Sequence, residues 1–189
     1  KRLCIYLDKK VKILKEMITK HQEKVSLLEI EKSSYIYKIV TKGLNHNVKM
    51  QDSGIEWIGK IPTHWKLRKL KHFFDYKKGG KGQTLTSTYI NENAGKFPVY
   101  SGQTENDGIL GFWKDYEFDF KNDVIFCTTV GAKCMSTKTL KGKFSLSQNC
   151  LIMLPKNNEI NSKYINYFLQ YDFQIRKHLL PSILQPSLR

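Results

Sequence analysis

The sequence lacks features that define several large classes of proteins. No apolar run approaches the roughly 18 residues that a membrane helix needs, and no secretory signal is present. Cysteine is scarce, with four residues and no Cys-x-x-Cys pair, and no histidine lies at zinc-ligand spacing from two cysteines. We therefore expect reduced cysteines that pack in a core, as in a cytoplasmic protein, with a zinc site or a disulfide as the minor alternative.

Catalytic motifs are absent as well. The sequence has no P-loop, no Ser-His-Asp elbow and no Asn-Pro-Pro-Tyr or Asn-Pro-Pro-Phe motif of an adenine methyltransferase. Asp107, Asp119 and Lys121 superficially match a nuclease core, which would need carboxylates that converge on Mg²⁺. Glu117 and Asp119, however, fall on the solvent face of the alternating YEFDF stretch at 116–120. We therefore predict no catalytic residue, no metal and no cofactor.

Acidic residues are few compared with basic ones. The chain has 17 Asp and Glu against 32 Lys and Arg, which gives a net charge of +15 and a pI near 9.6. This excess favours an anionic partner, and we prefer nucleic acid to an acidic protein or a membrane surface. Disorder is excluded by a hydrophobic content of 40% and an aromatic content of 12%.

The first 42 residues contain neither proline nor glycine, and apolar residues recur at alternating spacings of four and three. This spacing is typical of a coiled-coil seam. From Leu7 to Thr41 the helix would extend roughly 50 Å at 1.5 Å per residue, and Gly43 is placed to end it. The predicted dimer interface consists of Leu7, Val11, Leu14, Ile18, His21, Val25, Leu28 and Tyr35.

A helix with such a stripe needs a partner, and the sequence predicts no second helix of matching length. We expect residues 1–43 to be a spacer helix that pairs with a second copy, forming a homodimer. The alternative is a helix that lies flat against its own globular domain. His21 and Lys32 would weaken the seam but could set its register or orientation.

Residues 44–65 carry two tryptophans, Trp57 and Trp65, which a flexible linker would lack. We therefore expect a structured join in which Trp57, Ile58, Ile61, Pro62 and Trp65 pack the end of the helix against the domain that follows.

Residues 66–189 change in pattern and predict a single α+β domain. Alternating and continuous apolar runs, such as DVIFCTTVG at 123–131 and NCLIMLP at 149–155, indicate strands bounded by turn residues. The stretch NSKYINYFLQYDFQIRKHL at 161–179 has helical periodicity. The expected fold is a mixed, mainly antiparallel sheet with one or two helices, preceded by the long coiled-coil helix.

Two basic stretches favour contacts with phosphate. Residues 60–81 hold eight Lys and Arg against one acid, and residues 131–143 hold four lysines and no acid. Glycines in KKGGKGQT at 77–84 would let backbone N–H groups approach a phosphate, whereas polar side chains in loops can read base edges. The predicted DNA-binding residues are Lys77, Lys78, Lys81, Gln83, Thr84, Ser101, Gln103, Thr104, Asn106, Lys133, Lys138, Lys141 and Lys143. Each has a simpler interpretation, a solvated lysine or an ordinary turn residue.

Two motifs carry a resemblance to a known family. VTKGL at 40–44 and DSGIEWIGKIPTHW at 52–65 resemble the central conserved region of type I restriction–modification specificity subunits, in which a long helix ends and a target recognition domain begins. The resemblance is strong over residues 1 to about 70. The remainder resembles a target recognition domain in pattern only.

The resemblance implies a function and partners. Members read a bipartite double-stranded DNA target, are not themselves catalytic, and dock methyltransferase subunits and through them restriction subunits. A complete subunit usually has two recognition domains and two antiparallel helices, whereas this sequence has one of each. Since residue 1 is Lys, we expect the natural start to be missing and the chain to be half a subunit, a fragment, or a short form that dimerises in a prokaryotic cytoplasm.

A rival hypothesis explains the same composition without sequence reading. In it, the chain is a coiled-coil assembly module whose basic domain binds RNA or an acidic protein.

Overall fold

The computed structural model describes residues 1–45, 47–103, 105–130, 134–157 and 159–179. Its contacts divide the chain into two compact units, one from Lys1 to Pro62 and one that begins at Thr63. The boundary falls inside the join expected at 44–65.

The first unit is dominated by one helix, α1, which runs from Arg2 to Lys42 and confirms the predicted long helix. Gly43 ends it with a φ of 74°, a left-handed value that suits glycine, while its N–H donates to Ile39 O at 3.0 Å. Only Val40 and Thr41 are buried in this helix. Most of α1 is therefore free to meet another molecule.

A small hairpin follows the helix. Strands β1 (Met50–Asp52) and β2 (Lys60–Pro62) pair antiparallel, and Ile58 and Ile61 are 3% exposed. The Tyr37 hydroxyl donates to Ile58 O at 3.4 Å, so the hairpin packs on the last turns of α1. These contacts give the apolar residues of the stretch a packing role at the helix exit.

The second unit is built on a six-stranded sheet in the order β3-β8-β6-β7-β4-β5. Its strands are β3 (Phe74–Lys77), β4 (Ala94–Tyr100), β5 (Ile109–Trp113), β6 (Phe118–Thr128), β7 (Thr137–Leu146) and β8 (Cys150–Pro155). Neighbours pair antiparallel except β4 and β7, which are parallel. Helices α2 (Ser87–Glu92) and α3 (Ser162–Leu179) complete the unit. The prediction of a mixed, mainly antiparallel sheet with one or two helices is confirmed.

The core lies on both faces of β6, because successive side chains of a strand point to opposite faces. Val124 and Phe126 join one cluster with Phe144 and Leu146 from β7. Ile125 joins another that includes Leu169 of α3. The continuous apolar run therefore marks a strand that is covered on both faces.

The alternation predicted for YEFDF holds in only part of the stretch. Phe118 and Phe120 are half-buried and stack at 5.9 Å, and Asp119 is exposed. Glu117, which precedes β6, turns inward: its Oε1 accepts the Lys81 N–H at 2.7 Å. The prediction of a solvent-facing Glu117 is wrong because the residue lies before the strand, where the pleat does not dictate its direction.

Within the described part of the chain, no helix is long and apolar enough to cross a membrane.

Candidate nucleic-acid interface

Most of the predicted DNA-binding residues lie at the surface of the second unit. Ser101 is buried and Lys138 is half-buried, and Thr104 and Lys133 lie outside the described residues. The exposed ones are Lys77, Lys78, Lys81, Gln83, Thr84, Gln103, Asn106, Lys141 and Lys143.

The glycines of the 77–84 loop serve packing. A Cβ added at Gly79 would lie 2.8 Å from Leu146 O and 2.9 Å from Glu117 Oε2, whereas one at Gly80 would come no closer than 3.5 Å to Glu117. The Lys81 N–H already donates to Glu117. The loop therefore approaches a strand end and a carboxylate through its backbone, and the amide of Lys81 is not free for phosphate.

The Lys81 side chain remains on the surface. Its ammonium lies 4.8 Å from the centre of the Trp113 ring and 4.0 Å from Asp115 Oδ2. The ring and the carboxylate give this cation a preferred place beside the glycine loop. A surface ion pair of this kind contributes little and can exchange for a phosphate.

The loop between β4 and β5, residues 101–108, is closed by its own hydrogen bonds. The Ser101 N–H donates to Gly108 O at 2.9 Å, and Ser101 Oγ accepts the Gln103 N–H at 3.3 Å. Gln103 Nε2 donates to Ile109 O at 2.6 Å. Two of the side chains predicted to read bases, Ser101 and Gln103, therefore hold the loop in shape, while Asn106 stays exposed at its tip.

Lys138 of β7 supports this loop from below. Its ammonium donates to the Asp107 carbonyl oxygen and lies 3.8 Å from Asp107 Oδ1. It also lies 4.1 Å from the centre of the Tyr100 ring and 5.6 Å from that of Phe126. Burial lowers the pKa of Lys138, and the Asp107 carboxylate opposes that shift. These contacts engage a lysine that the sequence predicts to be a phosphate ligand.

Lys143 has a different environment on the same strand. Its ammonium lies 4.4 Å from the Tyr116 ring centre and 5.8 Å from that of Phe97, and the hydrogen bond to Tyr116 raises the pKa of Lys143. Lys96 lies 5.3 Å from the Phe97 ring. Lys143 was predicted from the sequence, but sequence reasoning missed its basic aromatic patch with Lys96, Phe97 and Tyr116, since only the tertiary fold brings these three segments together.

Residues 146–148 bring two of the predicted segments to one edge. The Ser147 N–H donates to Tyr100 O at 2.8 Å, where the 101–108 loop begins. A Cβ at Gly82 would lie 3.3 Å from Gln148 N. The glycine loop and the 101–108 loop thus border the same turn, whereas Lys143 interacts with a separate aromatic pair.

Carboxylates near these loops are engaged with different lysines. Asp107 pairs with Lys138, Glu117 accepts the Lys81 N–H, and Asp119 lies 3.9 Å from Lys143. In the part of the chain that the structure describes, no three His, Cys, Asp or Glu side chains are grouped so as to hold a metal ion. Asp107 and Asp119, the carboxylates that resemble a nuclease core in the sequence, thus lie beside different lysines.

All four cysteines lie in the described part of the chain, and they are present as thiols. Cys4 is exposed, whereas Cys127, Cys134 and Cys150 are buried. Burial raises the pKa of Cys127 to about 12 and that of Cys150 to about 11. Thiols so shielded stay neutral and pack as small apolar groups.

The predicted seam of α1 is exposed along its length. Leu14 and Ile18 are each 57% exposed and Val25 is 55% exposed. Further exposed apolar residues of the seam are Leu7, Val11, Leu28 and Tyr35. His21 uses its Nδ1 locally, 2.8 Å from Met17 O. An apolar stripe of this length on the surface of a single chain is typical of an interaction surface.

The chain thus combines an α+β unit, in which two polar loops border one turn, with a long helix that exposes an apolar seam. Residues 62–189 match the family model of the type I restriction modification DNA specificity domain, and the chain belongs to this family. The family that VTKGL and the 52–65 stretch predicted is confirmed by this match, which lies mainly over the residues that follow those motifs.

Known proteins similar to this chain fit that assignment. The type I restriction enzyme MpnII specificity subunit of Mycoplasma pneumoniae is 37% identical over 102 residues, which cover 54% of this chain and 30% of the relative. The crystal structure of a type I restriction–modification S subunit from M. genitalium superposes with a TM-score of 0.52 at 20% identity, covering 77% of this chain and 33% of that one. The chain spans between about a quarter and half the length of the curated relatives it matches, with coverages from 24% to 54%.

Proposed function

We propose that the chain reads double-stranded DNA by sequence, as one half of the specificity subunit of a type I restriction–modification complex. The observation that carries the proposal is the family match over residues 62–189. The net charge of +15 supplies affinity for phosphates, and the loops at 77–84 and 101–108 offer polar side chains at the surface. The second unit would read one half of a bipartite target.

The long helix would set the distance between two reading domains. Helix α1 has 41 residues, which corresponds to about 60 Å at 1.5 Å per residue. One turn of DNA is roughly 34–36 Å, so a rod of this length can hold two domains between one and two turns apart. The exposed seam supports pairing with a second copy, and two identical chains would read a symmetric target.

The chemistry of the complex would belong to other subunits. We propose that methyltransferase subunits dock on this chain and restriction subunits on those, and that this chain contributes DNA recognition without catalysis. Its place of action would then be the prokaryotic cytoplasm, where the DNA is.

Binding measured against salt separates the proposal from the rival assembly module. Fluorescence anisotropy of the full chain is recorded on duplex DNA, duplex RNA and polyglutamate from low to physiological salt. We expect the chain to retain tight binding to one DNA sequence at physiological salt and to lose binding to the other polymers steeply. Equal affinity for all three polymers would favour the module that binds RNA or acidic proteins.

A further inference from the structure

Two consecutive residues at the tip of the 101–108 loop hold an unusual backbone conformation. Asn106 has a φ of 48° and Asp107 a φ of 55°, the left-handed region that Asn and Asp adopt more readily than other non-glycine residues, but as single residues rather than in succession. Such a conformation costs free energy and persists only where its surroundings hold it. Residues with a strained backbone cluster at functional sites, so we examine the contacts that hold this turn for a role in binding.

Lys138 supplies those contacts. Its side chain is only 24% exposed, and its ammonium holds the Asp107 carbonyl oxygen and carboxylate above the Tyr100 ring. A Cβ at Gly108 would lie 3.4 Å from Lys138 Nζ, so the ammonium fits closely under the turn. To reach a phosphate, Lys138 would have to leave both the Asp107 oxygens and the ring.

Asn106 lies next to the residue that Lys138 holds, and its side chain is at the surface. Its neighbours Ser101 and Gln103 use side-chain polar atoms in hydrogen bonds within the loop and to Ile109, whereas Asn106 is exposed. An asparagine amide carries a donor beside an acceptor, which matches the edge that adenine presents in the major groove. Exposed Asp107, 85% exposed at its side chain, would repel a nearby phosphate, so the tip suits a base edge better than the backbone of DNA.

We infer that Lys138 is a positioning residue that fixes the tip of the 101–108 loop, and that Asn106 is the specificity-determining residue it aims at an adenine. The inference rests on the proposed reading of DNA. It differs from a phosphate role for Lys138 in one measurable way: positioning changes which sequence is bound, whereas a phosphate contact changes the affinity for every sequence.

The experiment uses the full chain and a pool of randomised duplex DNA. Selection with the wild type gives its preferred duplex, and the wild type, Lys138→Met, Asn106→Ala and Lys141→Met are titrated on that duplex and on versions with one base pair changed. Lys141→Met is the matched control, since it removes an exposed lysine of the same strand. Each titration is repeated over a salt series.

We expect Lys138→Met and Asn106→Ala to lose, at the same adenine, a discrimination of about 5- to 150-fold. The salt slope of Lys138→Met should equal that of the wild type, Lys141→Met should keep the adenine preference, and Lys138→Arg should restore it in part. If Lys138→Met weakens binding to all duplexes equally and lowers the slope by about one, the inference is overturned while DNA reading stands. A wild type that selects no sequence would remove the proposed function itself.

Folding of the variants is checked by thermal melting. Asn106 is exposed, so its variant tests the inference even if Lys138→Met proves unstable. An Asn106→Ala chain with every base preference intact would overturn the assignment.

Discussion

At the scale of single residues, two lysines of one strand have different roles. Lys138 and Lys143 both lie on β7, yet the first is engaged with Asp107 and Tyr100 and the second is exposed beside Tyr116. A lysine's contribution to DNA binding therefore depends on what already surrounds its ammonium. Counting charges along the sequence predicts a basic surface, but it does not show which lysines are available to bind DNA.

The packing role of the 77–84 glycines makes a prediction about stability. Gly79→Ala should lower the free energy of unfolding by about 1–3 kcal/mol, because its Cβ would meet the backbone oxygen of Leu146. Gly80→Ala is the matched control, with its nearest atom 3.5 Å away, and should change stability by less than about 0.5 kcal/mol. Urea unfolding midpoints measure both, and equal losses would contradict the packing role.

The cysteines predict a reactivity pattern. At pH 8 one thiol per folded chain, Cys4, should react quickly with iodoacetamide, because it alone of the four is exposed. Since burial raises the pKa of Cys127 to about 12, unfolded thiols ionise first, and stability should fall as pH rises above about 9. Peptide mass mapping identifies the labelled residue, and rapid labelling of Cys127 or Cys150 would show that the core is open.

Sequence patterns predicted elements better than individual side chains. The heptad spacing and Gly43 are local signals, and α1 ends where they place its end. The sequence predicted a solvent-facing Glu117, which is wrong, and a phosphate contact for Lys138 without its contacts to Asp107. The partners of these two residues lie 36 and 31 residues away in sequence. A local sequence pattern does not extend over such separations, so these contacts became visible only in the folded structure.

At the scale of elements, α1 is the helix whose apolar residues remain exposed instead of packing within the chain. Its seam is exposed, and its charge is uneven: residues 1–20 hold seven Lys and Arg against two acids, and residues 22–42 hold four against three. Antiparallel pairing sets the more basic half beside the less basic one, whereas parallel pairing sets like beside like. Charge therefore favours an antiparallel pair.

The seam itself can be tested by one substitution and a matched control. Leu14→Lys should raise the dissociation constant of the dimer by at least about 30-fold, because two ammonium groups would enter the seam. Ile30→Lys adds the same charge at an apolar residue that is 67% exposed and lies off the seam, and it should leave the dimer intact. Light scattering gives the molar mass of each variant in solution. If both variants dissociate equally, the predicted seam is not the dimer interface.

The direction of pairing can be tested through Cys4. In an antiparallel pair the two Cys4 residues would lie about 50 Å apart, too far for a disulfide. Mild oxidation should therefore leave the chains unlinked on a non-reducing gel. A prompt cross-link through Cys4 would indicate a parallel pair and would remove the ruler role proposed for α1.

At the scale of the whole molecule, each of the two units contributes a separate property. The second unit belongs to a DNA specificity family, and the first carries a rod with an unpaired seam among the residues described. In the proposed function, one domain on one rod reads one half-site. Two copies that pair antiparallel would read that half-site twice, in opposite directions.

The most direct test of this account is the symmetry of the DNA that the full chain selects from a random duplex pool. We predict two inverted copies of one half-site, separated by a fixed distance of about one to two helical turns. A single isolated site, a direct repeat, or no enriched sequence would contradict it.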